Sequence, residues 1–172
     1  IAALIAAGRY PEARAWASAM SDGRSAWLAL ADIADPAFPG PRGGALAALD
    51  EAARAGRLPA EFLHRLVTVL DALDYQIPIP LWEAASRSPQ PAAGHLPATG
   101  VLSELKAAAE RREAARTILL AMTALGPSGI EGAHMLALGD AIRALRRAGV
   151  EREARAIALE ALFAGWPRQL QP

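Results

Sequence analysis

One corner recurs along this chain, and it limits the fold more than any other feature. Leu4-Ile5-Ala6-Ala7-Gly8-Arg9-Tyr10-Pro11-Glu12-Ala13-Arg14-Ala15-Trp16-Ala17 and Leu145–Ala158 share Leu, Ala, Gly, Glu, Ala, Arg, Ala and Ala at 8 of 14 positions. Each stretch has the form of a helix end, a glycine and a new helix start. Glycine enters the left-handed backbone region without steric cost and so closes a helix. Pro11 suits the first turn of the helix that follows, where no N–H is needed. Ala55-Gly56-Arg57-Leu58-Pro59 follows the pattern of Ala7–Pro11 as a third copy. A fourth, partial copy has Leu105, Ala108, Glu113 and Ala114 in register, with Ala109 in the glycine's place. These corner positions are 48, 53 and 40 residues apart. Recurring corners at irregular spacing predict a divergent array of helical hairpins.

Composition supports helices throughout. Alanine accounts for 43 of 172 residues, and aromatics for only 5%. Alanine has the highest helix propensity and loses no side-chain entropy on folding. The expected fold class is therefore all-α: a right-handed α-α superhelix, or solenoid, of about eight short antiparallel helices. Residues 1–172 are expected to form a single helical-repeat domain with loops at 35–44 and 87–98, both rich in Pro and Gly. Phe62, Leu63, Leu66, Val69, Leu70 and Leu73 recur at helical spacing and predict one apolar stripe. The chain starts at Ile1 inside a helical pattern, so it is expected to be processed or part of a longer protein.

Several function classes are excluded by the totals. Formal net charge is zero, and basic residues do not concentrate as a nucleic-acid interface requires. With no Cys there are no disulfides, thiolate metal sites or thiol nucleophiles. No apolar run has the length of a membrane span. Seventeen of the 18 basic residues are Arg, and the other is Lys106. With the Ala and Pro content, this points to a GC-rich bacterial gene. The compartment, cytoplasm or periplasm, stays open.

Gly8-Arg9-Tyr10-Pro11-Glu12-Ala13-Arg14 resembles the turn of a tetratricopeptide-type repeat, in which Gly, an aromatic and Ala sit at the corner. Gly8, Tyr10 and Ala13 match that spacing. Gly149 and Ala154 match it with Glu151 in place of the aromatic, and Gly56 and Leu58 match in part. The family's 34-residue period is absent, so the resemblance covers the corners and not the whole chain. It implies a helical-repeat scaffold that binds proteins or peptides, and it transfers no catalytic residue.

Glu61-x-x-His64 and Glu131-x-x-His134 have the spacing of di-metal carboxylate ligands. His134 lies at a helix start, where it is expected to cap or pack. His64 is expected beside the apolar stripe, and His95 in an exposed loop. No Gly-x-Ser-x-Gly elbow occurs. The Gly/Pro stretch at 39–44, with Arg42, lacks the ending of a phosphate-binding loop. Asp71 and Asp74 fall at a helix C-terminus, an electrostatically poor place for acids.

Arg143, Arg146, Arg147, Arg152 and Arg155 flank the last corner, five cations against only Glu151 and Glu153. They are the expected partner-binding set, suited to an acidic peptide or a phosphate. Trp16 and Trp27 are expected in the core. Tyr75 and Trp82 are the expected accessible aromatics, with a role in partner contact. The resulting expectation is a non-enzymatic scaffold that takes a protein or peptide partner in a helical groove and uses no cofactor or metal. The alternative is a helical enzyme or ligand-binding domain whose site is completed elsewhere.

Overall fold

A computed structural model describes residues 1–21, 23–38, 43–89 and 94–166. The chain is all-α. Eleven helices occur among the described residues, more than the eight expected, because short elements such as α1 (Ala2–Ala6) and α9 (Gly129–Gly132) form in segments that look like helix ends or turns. The only bridge of β type among the described residues joins His95 to Ala133. The centres of both predicted loops, residues 39–42 with Arg42 and residues 90–93, lie outside the described residues.

The chain forms two compact units. The first comprises Ile1–Leu63, Ile77–Pro89 and Gly165–Pro172; the second comprises His64–Gln76 and Gln90–Ala164.

In the first unit, α1, α2 (Tyr10–Ser18), α3 (Arg24–Ala34) and α4 (Gly43–Arg54) pack in chain order, and α6 (Ile79–Arg87) packs on α4. Helix α2 buries Ala13 and Ala17, one turn apart on one face. Trp16 falls off that face and is 66% exposed, contrary to its expected core position. Arg14 instead spans to α3, donating to Asp32 at 2.8 Å and Asp35 at 2.7 Å. Trp27 is buried as expected. Its ring lies 5.1 Å from that of Trp166, which meets Phe62 edge-on at 5.5 Å.

The second unit holds α5 (Ala60–Ala72) from His64 onward, α7 (Thr99–Glu110), α8 (Ala114–Leu125), α9, α10 (Met135–Arg147) and α11 (Glu151–Ala164). Helices α7 and α8 form one hairpin and α10 and α11 another. Helix α10 also packs on both α7 and α8, so the second hairpin docks on the first. Leu105, Ala108, Ala121, Leu138, Ile142, Leu145 and Leu162 are buried at these contacts.

The recurring corner is a defined backbone motif. At Gly8, Gly56 and Gly149, φ is positive (72°, 66° and 86°). In each case the glycine N–H donates three residues back, and the next N–H donates five residues back. These are the two bonds of a Schellman cap, which satisfy carbonyls left open at a helix end. The same pair of bonds occurs at two further positions, Asp74 (φ 66°) and Arg112 (φ 56°). The fourth copy is therefore real but shifted: Arg112, not Ala109, takes the glycine's place. The corner at Asp74 falls where an extended segment was expected. In the second unit the caps at Asp74, Arg112 and Gly149 close α5, α7 and α10, at spacings of 38 and 37 residues.

Candidate functional site

In the second unit a groove of about 1040 Å³ lies between α7 and α10, bordered by the end of α5. Helix α7 contributes Thr99, Leu102, Ser103, Lys106 and Ala109, a stripe at helical spacing. Helix α10 contributes Asp140, Arg143, Ala144 and Arg147 on one face, with Arg146 beside them. Asp71, Ala72 and Asp74 come from the end of α5 and its corner. Arg112 comes from the corner after α7, and Glu151 from the start of α11. The apolar part of the lining is Ala72, Leu102, Leu105, Ala109 and Ala144.

The structure thus gathers three of the five arginines expected at a binding surface. Most of their charge is already engaged. Arg143 donates to Asp71 at 2.5 Å and to Asp140 at 3.0 Å. Gly139, one turn earlier, leaves room for this: a Cβ there would lie 3.1 Å from the Arg143 guanidinium and 3.3 Å from the Thr68 methyl. Arg146 donates to Glu151 at 3.1 Å and to the Ala72 carbonyl at 3.2 Å. Arg147 donates to Glu110 at 3.3 Å. Asp71 at the end of α5 is therefore matched by a cation from another helix, which removes the misfit seen in its own helix.

Arg155 is engaged within the chain. Its side chain is 13% exposed, donates to the Tyr75 hydroxyl at 3.1 Å, and pairs with Glu151 at 2.8 Å. Burial disfavours its charge, but the Tyr75 and Glu151 contacts outweigh that, and the guanidinium is held above its ordinary value. Arg155 and Tyr75 thus form a partly buried contact. Arg152 is exposed and lies outside the groove lining. Trp82 is 44% exposed, as expected, but belongs to the first unit.

Two groove residues carry no signal in the sequence that marks them as part of a site: Lys106 and Arg112. Neither makes a side-chain hydrogen bond or ion pair among the described residues. Lys106 was noted only as the single lysine, and nothing local marks Arg112 as a corner residue.

The histidines lie elsewhere. The Nδ1 atom of His134 accepts from the Leu136 N–H at 3.2 Å, which makes it the cap of α10, the role expected for it. Because α9 ends at Gly132, Glu131 and His134 do not share a helix, and the metal-ligand spacing has no helical basis there. His95 is exposed and also anchored. Its N–H donates to the Gly132 carbonyl at 2.7 Å, and its carbonyl accepts from the His134 N–H at 3.0 Å. Its ring lies so close to Gly126 that a Cβ there would come within 2.3 Å. Among the described residues no group of three or more His, Asp and Glu is placed to hold a metal ion. No described helix is long and apolar enough to cross a membrane.

No family model, curated protein or solved structure matches the chain.

Proposed function

We propose that the chain is a non-enzymatic scaffold of the helical-repeat type that holds a peptide or protein partner in the groove between α7 and α10. The observation that carries this reading is the position of the groove. It lies along α7 and α10, the first helices of two successive hairpins, with the end of α5 at its border. The caps of these three helices recur at 38 and 37 residues. A near-regular step with hairpins docked in series is the basis of a solenoid, and aligned first helices build an elongated surface in such arrays. The ion pairs along α10 hold its long side chains in place, so less side-chain entropy is lost when a partner docks. The enzyme alternative gains no support from the groove, since neither His64 nor His134 lines it.

The test is site-specific photo-crosslinking in the source cells. A benzophenone amino acid replaces Ser103 in the groove or Ala115, an exposed residue outside the groove lining. The reading predicts a discrete protein adduct from position 103 and none in common with position 115. The same adducts from both positions, or none from 103, would contradict it.

A further inference from the structure

Taking that groove as the binding surface, we infer that its occupant is an acidic segment of a partner protein, with carboxylates received by Lys106 and Arg112. The inference rests on which charges are already matched. Arg143, Arg146 and Arg147 each have a carboxylate partner from the chain itself. Lys106 and Arg112 line the same groove with no partner among the described residues. Both belong to the α7 side, on the helix and on its corner.

Arg112 adds a second, independent observation. It sits at φ 56° in a cap whose counterparts at 8, 56 and 149 are glycine and whose counterpart at 74 is aspartate, which tolerates this region better than arginine. A non-glycine residue in this region carries strain, and strain retained at an exposed position calls for a use of the side chain. The cap needs only backbone groups, so the guanidinium is free for another task. It presents a planar fork that suits a carboxylate, and Lys106 adds a flexible point charge. Leu102, one turn before Lys106 on the same wall, offers apolar contact beside the cations. Asp74, on the corner after α5, repels acid from its own neighbourhood and confines the segment's carboxylates to the α7 wall.

The experiment uses the full chain and fluorescein-labelled 12-residue peptides with one Leu/Ala/Gly/Ser frame carrying zero, two or four Glu. A 12-nucleotide single strand serves as a second polyanion. Fluorescence anisotropy is read at low and high salt. Variants are Lys106→Glu/Arg112→Glu, Lys106→Ala/Arg112→Gly, and Arg152→Glu as an exposed charge control outside the groove. Circular dichroism checks folding, and the Arg112→Gly form relieves backbone strain rather than adding it. We expect affinity to rise at least about tenfold from zero to four Glu and to fall with salt. Both groove variants should lose that gain, and Arg152→Glu should keep it. Equal affinity for all three peptides, abolished by a bulky Ser103→Trp, overturns the acidic preference and leaves the groove reading standing. Equal loss in Arg152→Glu, or oligonucleotide binding as tight as that of the four-Glu peptide, overturns the inference. Binding to no peptide overturns it too, and the crosslink from position 103 then judges the groove reading separately.

Discussion

Arg112 and Gly149 occupy the same position in successive hairpins, 37 residues apart, and close α7 and α10 with the same two backbone bonds. One is the residue best suited to a left-handed backbone, and the other carries a side chain that the conformation disfavours. Replacing Arg112 by Gly removes that strain without touching a cap bond or an ion pair. Arg112→Gly should therefore stabilise the fold by about 1 kcal/mol, read as a higher urea midpoint at unchanged m-value. Asp74→Gly should gain less, because Asp tolerates the left-handed region better than Arg. A destabilised Arg112→Gly would mean that the side chain supports the fold and is not held for a partner.

Thr117 on α8 is fully buried, and its hydroxyl has no hydrogen-bond partner among the described residues. An unpaired buried hydroxyl costs roughly 1–3 kcal/mol. Thr117→Val keeps the shape and the β-branch and removes the unpaired group. It should raise stability by about 1 kcal/mol in chemical denaturation, whereas Thr117→Ser should lower it by removing the buried methyl. A loss of stability in Thr117→Val would reveal a partner for that hydroxyl.

Trp27 and Trp16 are eleven residues apart and have opposite environments. Trp27 is 3% exposed and packs on Trp166; Trp16 is largely open. Trp27→Ala should cost about 3–5 kcal/mol, as expected for a buried aromatic reduced to a cavity. Trp16→Ala should change stability by less than about 0.5 kcal/mol. In single-Trp variants, acrylamide should quench Trp16 efficiently and Trp27 poorly. Equal quenching would contradict the arrangement of α2 against α3.

How much of this was legible in the sequence differs from residue to residue. Gly8, Gly56 and Gly149 announce their corners because only glycine enters that backbone region freely, and each is where it was expected. His134 at a helix start signalled its cap. Arg112 and Asp74 were not legible as corners. Their caps are made by backbone groups, and no side-chain type marks them when glycine is absent. Trp16 was misread because an apolar residue at helical spacing does not reveal which face a neighbour covers. Alanines at 13 and 17 form the packing face of α2. The arginine cluster was visible as charge, but its partners were not: Asp71 is 72 residues from Arg143, and Tyr75 is 80 from Arg155. Without those pairings, the engaged cations could not be told from Lys106 and Arg112.

The most direct measurement is a two-dimensional amide NMR titration of the full chain with the four-Glu peptide. The account predicts shift changes concentrated on Thr99–Arg112 and on Asp140–Glu151, the two walls of the groove, with Lys106→Glu/Arg112→Glu suppressing them. Shifts centred instead on the exposed apolar face of α8 at Leu119 and Met122, or on Trp16 and Trp82 in the first unit, would contradict it.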